Sequence, residues 1–231
     1  AVGLLGGGST VHPGEVSLAH HGVLFLDEMP EFSPGVLQQL RQPLESGVIS
    51  LARANGTYRF PARFLLLAAA NPCPCGYLGD PVRKCRCSDT QIERYQNRIG
   101  GPLMDRFDLS ITVLRADPHE VLESGSGTSS AKLKEGVDAA RAFGDWRRSA
   151  KKGSAGKAGE QRLLDEARLS SGTRRSFEEL ARSFSLSGRG IMRTLSVSRT
   201  IADMRESESV DEEDLLEALM YRSQDTAGGD R

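Results

Sequence analysis

The stretch that most constrains the fold of this chain is GVLFLDE at residues 22–28, where a short apolar run ends in two adjacent carboxylates. Four consecutive apolar residues predict a β-strand that is buried on both faces, as in a parallel sheet. Ligands of open α/β sheets bind beyond the carboxyl ends of the strands, so Asp27 and Glu28 are expected at a binding edge. One carboxylate could hold Mg²⁺ there, and the other could orient or deprotonate an attacking water. On this stretch alone, a solvated strand end is an equally good interpretation.

A second apolar run, RFLLLAAA at residues 63–70, predicts another buried strand, which ends at Asn71. At a neighbouring strand end, the Asn71 amide could hold the attacking water or a terminal phosphate beside the two carboxylates. A third strand is predicted at residues 109–114, LSITVL. A helix is predicted after Ser33 and Pro34, which suit its N-cap and first turn. Strands and helices in this order indicate an α/β fold.

Between the first two strands, residues 48–60 predict a β-hairpin around the dipeptide Asn55-Gly56. The hairpin carries Arg53, Tyr58 and Arg59, which could contact nucleic acid from a projecting arm. An ordinary solvated hairpin edge explains the same composition at least as well.

All four cysteines fall within fifteen positions, in the pattern C-x-C-x9-C-x-C. No secretory leader is visible, so a metal site formed by Cys73, Cys75, Cys85 and Cys87 is favoured over two disulfides. Four thiolates around Zn²⁺ would make a closed structural site with no open position for catalysis. Four reduced thiols in a loop are the alternative.

From residue 131 onward the hydrophobic pattern is helical, with helices predicted at about 131–148, 160–169, 173–184, 188–206 and 211–222. Segments rich in Gly and Ser at residues 125–130 and 151–159 are typical of linkers. The chain is therefore predicted to contain an α/β domain at residues 1–125 and a helical domain at residues 126–231.

The formal net charge is only −1, but residues 131–205 carry 17 Lys and Arg against 9 Asp and Glu. A basic segment of this kind suits a polyanion or nucleotide partner, although amphipathic helices with solvated Arg-rich faces are the commoner explanation. No apolar run approaches the length of a membrane span, so we expect a cytoplasmic protein with no membrane partner. Because the chain starts at Ala1 without an initiator Met, we expect it to be a fragment.

Taken together, these motifs resemble AAA+ ATPases of the magnesium-chelatase-like group. The sequences SLAHHGVLFLDEMPEF, AAANPCPCG and LSGRGIMRTLSVSRTIAD are similar to the ComM/YifB branch, and the resemblance covers essentially the whole chain. It implies a partial AAA+ P-loop NTPase core at residues 1–125, built as a parallel sheet with helices and an inserted β-hairpin. It also implies a small all-α lid domain at residues 126–231.

The resemblance implies specific roles for the residues at the predicted sheet edge. Asp27 and Glu28 match the Walker B pair, of which the first supports Mg²⁺ and the second polarises the water. Asn71 matches sensor 1. Arg106, in the sequence MDRFD, matches the arginine finger that reaches the γ-phosphate of a neighbouring subunit. A helix-terminal salt bridge is the other interpretation of Arg106.

Further roles follow from the same resemblance. Arg189, in the sequence SGRG, matches sensor 2 of the lid, with Arg193 one turn later as its alternative. An ordinary surface arginine is the other interpretation of Arg189. The hairpin matches an insertion directed toward a central pore, which makes Arg53 and Arg59 candidates for DNA contact.

As a whole, the resemblance implies a homo-hexameric ring, driven by ATP and Mg²⁺, that acts on DNA. The expected activity is branch migration or helicase action during recombination of incoming DNA in natural transformation. One alternative is the magnesium chelatase motor subunit, although the cysteine cluster after Asn71 argues against it. The other is a non-catalytic, zinc-stapled module for DNA binding or assembly.

The chain departs from the family pattern in one important respect, because it contains no G-x-x-x-x-G-K-[ST] sequence. In the family this phosphate-binding loop lies upstream, together with a domain resembling the Lon protease fold. We therefore expect the 231-residue chain to bind ATP weakly or not at all and to have no turnover of its own.

Overall fold

The computed structural model describes residues 2–116, 119, 122, 127–150 and 159–222. The chain divides into two compact units, Ala1–Phe107 and Asp108–Arg231. The predicted domain boundary between residues 125 and 126 lies outside the described residues, and so do residues 151–158 of the linker predicted at 151–159. Both stay predictions. No helix in the described part of the chain combines the length and the apolar character that crossing a membrane requires.

The first unit mixes short helices with three pairs of strands. In chain order it contains α1 (Val2–Leu5), β1 (Gly6–Gly7), β2 (His12–Pro13), α2 (Glu15–Leu18), β3 (Val23–Leu26), a 3₁₀ turn (Met29–Glu31), α3 (Pro34–Gln39), α4 (Arg41–Ser46), β4 (Val48–Arg53), β5 (Gly56–Pro61), β6 (Leu65–Ala68), α5 (Asp89–Gln96) and α6 (Gly101–Met104). Among the described residues, β1 and β2 pair antiparallel, β4 and β5 pair antiparallel, and β3 and β6 pair parallel.

Strands β3 and β6 confirm the predicted parallel pairing, with a register that runs from Val23↔Leu65 to Leu26↔Ala68. The prediction that these strands are buried on both faces is wrong. Leu24 and Leu26 are buried, whereas Phe25 is 55% exposed and Leu67 of β6 is 54% exposed. Successive side chains point to opposite faces of a strand, and the described residues cover only one face of this sheet.

The covered face belongs to one apolar core, whose fully buried members include Val16, Leu37, Leu40 and Leu103. The predicted helix after Ser33 is present, but it is divided at Leu40 into α3 and α4. The second of these helices ends at Gly47 in a left-handed conformation, with φ 66°, which glycine adopts without steric penalty. The predicted hairpin follows directly as β4 and β5.

The predicted strand at residues 109–114 is wrong. This segment belongs to the second unit and forms neither strand nor helix, and its apolar side chains Leu109, Ile111 and Val113 are more than half exposed. The backbone N–H of Ser110 donates to the Tyr221 carbonyl oxygen at 2.8 Å. A strand requires a neighbouring strand to pair with, and the described residues offer none beside this segment.

The second unit is helical, as predicted. Its helices within the described ranges are α7 (Ser130–Ser149), α8 (Gly159–Ala167), α9 (Ser171–Ser183), α10 (Gly188–Met204) and α11 (Glu212–Met220). They enclose a second apolar core made by Ala167, Phe177, Leu195, Ala202, Val210 and Leu215.

Part of the basic charge of the second unit is internal. Arg147 of α7 and Arg199 of α10 are both buried, and both bond the Asp203 carboxylate. The distances from Asp203 Oδ1 are 2.9 Å to Arg147 Nε and 3.0 Å to Arg199 Nη2. Burying two guanidinium groups on one carboxylate is tolerated because they are also bonded to backbone carbonyls, among them those of Glu166 and Glu208.

Candidate functional site

The polar ends of β3 and β6 lie at the same edge of the parallel sheet. The register pairs Leu26 with Ala68, and the pairing continues beyond both strands, since the Met29 N–H donates to the Ala69 carbonyl at 2.9 Å. Asp27 and Glu28 follow β3, and Asn71 follows β6 after two further residues. All three side chains are exposed. The predicted set of two carboxylates and one amide is therefore carried by one sheet edge.

Helix α5 connects the two loops at this edge, which the sequence did not indicate. Gln96 Nε2 donates to the carbonyl of Pro72, in the loop that follows β6. Arg98, just beyond the helix, donates to the Pro30 carbonyl at 3.2 Å, in the turn that follows β3. Ser88 and Gln91 form a capping box at the start of α5, but a capping signal in a sequence carries no information about what the helix packs against.

Tyr95 is a buried residue of α5 near this edge. Its side chain is buried, and burial, together with the nearby carboxylates of Glu31 and Glu28, raises the pKa of its hydroxyl. Tyr95 therefore stays protonated and neutral next to the carboxylates. The electrostatics of the edge include this hydroxyl group, which sequence reasoning missed.

The four cysteines form one cluster, as their spacing predicted. Their Sγ atoms all lie within 4.8 Å of one another, and all four cysteines are free. Cys73 is fully buried, and the other three are partly buried. These thiols could hold a metal ion.

The thiols of the cluster differ in pKa because their backbone hydrogen bonds and their burial differ. Hydrogen bonds from the Arg86 and Tyr77 backbone amides lower the pKa of Cys75 to about 6. Burial and the neighbouring Cys75 raise the pKa of Cys87 to about 12. The cluster therefore favours one thiolate first and resists the ionisation of all four thiols unless a cation is present.

Arg106, the predicted arginine finger, forms an ion pair and a hydrogen bond with residues of its own unit. It follows α6, its side chain is only 8% exposed, and its Nη2 contacts Glu45 Oε1 at 2.6 Å. A second guanidinium nitrogen donates to the Pro102 carbonyl. The predicted salt-bridge interpretation of Arg106 is thus compatible with the structure, and Glu45 is a partner that the sequence did not reveal.

The two sensor 2 candidates lie one turn apart near the start of α10 in the second unit. Arg189 is exposed on the first turn, which is capped by the Ser187 side chain. Arg193 is partly buried and forms an ion pair with Asp108. Of the two, Arg189 is the more accessible to a ligand.

The hairpin places its two arginines on opposite faces. The register pairs Arg59 with Ser50 and Arg53 with Gly56, so alternation along the strands separates the two side chains. Arg53 lies on the same face as Ile49, which is buried in the core. The Arg53 side chain also lies close to Gly7, since a Cβ placed on Gly7 would be 3.0 Å from Arg53 Nη2. Arg59 lies on the other face and is exposed. A ligand that contacts both must therefore reach around the hairpin.

Comparison with protein families gives two matches that together span most of the chain. The model described as magnesium chelatase, subunit ChlI, matches residues 1–121. The model described as magnesium chelatase, subunit ChlI C-terminal, matches residues 127–222.

Similar curated proteins include the competence protein ComM of Haemophilus influenzae and the uncharacterised protein YifB of Escherichia coli. Each is 42% identical to this chain, over 225 and 224 residues, which is 95% and 96% of the chain. A more distant relative, the DNA replication licensing factor mcm6 of Dictyostelium discoideum, is 35% identical over 109 residues, 47% of this chain and 11% of its own length. The chain spans only 42% of the length of ComM and 43% of that of YifB.

Proposed function

The chain belongs to the magnesium chelatase ChlI family, in its ComM/YifB branch, and from that membership we propose that it is part of an AAA+ ATPase that moves on DNA. The observation that carries the proposal is the parallel register of β3 and β6. Through that register, Asp27, Glu28 and Asn71 share one sheet edge, as a site for phosphoryl transfer to water requires.

The residues at this edge fit the chemistry of Mg²⁺ and water. Exposed carboxylates provide the oxygen ligands that Mg²⁺ prefers. When bound, MgATP supplies the phosphoryl group and the metal charge that stabilises its transfer. We assign Asp27 to support of the Mg²⁺, Glu28 to polarisation of the attacking water, and Asn71 to the orientation of that water or the terminal phosphate.

The proposal places the cradle for the β- and γ-phosphates outside these 231 residues, since the sequence has no G-x-x-x-x-G-K-[ST] loop. The isolated chain is therefore expected to bind ATP weakly or not at all. Isothermal titration of the isolated chain with MgATP tests this point. A tight complex of one ATP per chain would contradict it.

Arg106, Arg189 and Arg193 complete the proposed machinery in a homo-hexameric ring. Arg106 would leave Glu45 and stabilise charge on the γ-phosphate of a neighbouring subunit, as an arginine finger does. In the second unit, Arg189 is the first candidate for sensor 2 because it is exposed, and Arg193 is the second because it is partly buried.

We propose DNA as the substrate, on which the protein acts in the cytoplasm by branch migration or helicase activity during recombination of incoming DNA. The name of one relative, a DNA replication licensing factor, supports a DNA substrate, and the name of another, a competence protein, supports a role in competence. The exposed arginines of the hairpin, Arg53 and Arg59, are the proposed contacts to the DNA backbone.

The family description itself favours a second candidate, a magnesium chelatase motor that drives Mg²⁺ insertion into a porphyrin. A non-catalytic module for DNA binding or assembly is the remaining alternative. The three candidates differ in what stimulates ATP hydrolysis, so one assay separates them.

The assay measures ATP hydrolysis by the intact protein alone, with DNA and with porphyrin, for the parent protein, Glu28→Gln and Glu93→Gln. Glu93 is an exposed carboxylate of α5 and serves as the matched control. DNA stimulation that is lost in Glu28→Gln and kept in Glu93→Gln would support the proposal. Stimulation by porphyrin would indicate the chelatase motor, and no hydrolysis by any of the proteins would indicate the non-catalytic module.

A further inference from the structure

The segment between β6 and α5, residues 69–88, is a long loop with neither helix nor strand. Loops of this length inside compact units are uncommon without a dedicated function or support. Several of its internal hydrogen bonds are local, such as the Gly76 N–H to the Cys73 carbonyl at 3.0 Å and the Arg83 N–H to Asp80 Oδ1 at 2.7 Å. These bonds form single turns and do not join the two ends of the loop.

The cysteine cluster does join them. Cys73 and Cys75 lie near the start of the loop, and Cys85 and Cys87 lie at its end. The Sγ–Sγ distances are 3.5 Å between Cys73 and Cys75, 3.6 Å between Cys75 and Cys85, and 3.7 Å between Cys73 and Cys85.

These distances match the edges of a metal–thiolate tetrahedron. With Zn–S bonds of about 2.3 Å, adjacent sulfurs of a tetrahedral site lie about 3.8 Å apart. Sulfurs joined in a disulfide would be separated by only about 2.05 Å. The cluster therefore has the size of a cage for one ion.

Backbone amides point at the sulfurs of the cage. The Cys87 N–H donates to Cys85 Sγ at 3.4 Å, and the amides of Tyr77 and Arg86 donate to the Cys75 sulfur. Amide donors of this kind stabilise the negative charge of metal-bound thiolates. The exposed cations Arg83, Lys84 and Arg86 lie in the same loop and offset the net charge of four thiolates around a divalent ion.

We propose that Cys73, Cys75, Cys85 and Cys87 bind one Zn²⁺ in a closed, structural tetrahedral site. Four protein thiolates leave no open coordination position, so the ion closes the loop and takes no part in catalysis. A soft, all-sulfur set selects Zn²⁺ over the hard cation expected at the carboxylate edge.

Because the cysteine cluster lies beside the sheet edge, the bound ion has a structural role at that edge. Asn71 precedes Cys73 by two residues, and the Pro72 carbonyl between them accepts the bond from Gln96 of α5. Gly76, with φ 78°, lies beside Asn71, because a Cβ on it would be in ordinary van der Waals contact with Asn71 Oδ1, at 3.9 Å. Zinc binding therefore fixes the backbone that carries Asn71 and fastens it to α5.

Metal analysis of the intact protein, purified without added metal, tests the proposal independently of any ATPase activity. The expected result is about one Zn per chain, lost in Cys85→Ser and kept in Ser88→Ala, which changes the residue next to Cys87. Replacement of the ion with Co²⁺ should give the visible absorption of tetrahedral cobalt thiolate. Protein with almost no metal and four titratable thiols, or with iron in place of zinc, would overturn the assignment.

Limited trypsin digestion tests the structural task. Arg83, Lys84 and Arg86 are exposed cleavage sites inside the loop. A strong chelator of Zn²⁺ should increase cleavage at these positions at least tenfold, and added Zn²⁺ should reverse the effect. Equal cleavage of the zinc-loaded and zinc-depleted protein would show that the ion does not hold the loop.

Discussion

Glu28 leaves β3 in a left-handed backbone conformation, with φ 48° and ψ 44°. Residues with a Cβ rarely adopt it, because it costs about 1–2 kcal/mol. The Glu28 N–H donates to Asp27 Oδ1 at 2.9 Å, and the following Met29 is bonded to Ala69 and buried in the core. The turn therefore ends the strand abruptly and leaves both carboxylates exposed at the sheet edge, where the proposed chemistry needs them.

Adjacent residues of β3 should differ sharply in their contribution to stability. Leu26 is 4% exposed and Phe25 is 55% exposed. Leu26→Ala is expected to lower the free energy of unfolding of this chain by about 2–5 kcal/mol, because it leaves a cavity in the core. Phe25→Ala should cost less than about 1 kcal/mol. Urea unfolding measures both, and an equal loss in the two variants would contradict the one-sided burial of the sheet.

The pair Arg106 and Glu45 distinguishes an arginine finger from a simple salt bridge. In the intact protein, Arg106→Ala should lower kcat for ATP by about 10³-fold or more, because the transition state loses a positive charge. Glu45→Gln removes the ion pair and keeps the guanidinium, so it should retain most of the turnover. Steady-state kinetics of both variants decides the question, and similar small losses in the two would identify Arg106 as structural.

The register of the hairpin determines which face of it each arginine occupies. The two residues between β4 and β5 are Ala54 and Asn55, and Gly56, with φ 138°, begins the second strand. Because side chains alternate across a strand, this register assigns Arg53 and Arg59 to opposite faces. The sequence predicted the hairpin and named both arginines, but not their separation.

Replacement of both hairpin arginines tests the proposed contact with DNA. Arg53→Ala combined with Arg59→Ala should weaken binding of single-stranded DNA by the intact protein and reduce the slope of log K against log salt by about 1.4, for two lost phosphate contacts. Arg174→Ala with Arg175→Ala, two exposed arginines of α9, is the matched control. Fluorescence anisotropy measures both, and a double hairpin variant with unchanged affinity and slope would exclude the contact.

Local sequence signals predicted the helices and most strands well, but they predicted much less well which side chains are buried. The helices of the second unit follow their apolar periodicity closely. Residues 109–114 have the composition of a strand, yet they form none, since strand formation depends on a partner that is distant in sequence. For the same reason an apolar run such as residues 23–26 predicted a strand correctly but not the number of its covered faces.

In the candidate site, too, features that are local in sequence were predicted and long-range contacts were not. The cysteine spacing located a cluster correctly because ligands in a short loop are close in sequence as well as in space. Glu45 and Tyr95 could not be predicted, because their roles arise from contacts with Arg106 and with the sheet edge across long sequence separations. The motifs therefore identified the candidate site residues, and the structure added the residues that contact them.

At the scale of the whole molecule, the chain consists of two units with separate apolar cores. One core is centred on residues such as Leu37 and Leu103, and the other on Leu195 and Leu215. The proposed hydrolysis edge and the cysteine cluster belong to the first unit, and both sensor 2 candidates belong to the second.

The most direct test of the account is the rate of DNA-stimulated ATP hydrolysis by the intact protein carrying Asn71→Ala. Asn97→Ala, at the exposed end of α5, is the matched control. If the shared edge of β3 and β6 is the hydrolysis site, Asn71→Ala should lower kcat at least tenfold with little change in KM for ATP, whereas Asn97→Ala should behave like the parent protein. Equal rates for the two variants, or no hydrolysis by the parent protein, would contradict the account.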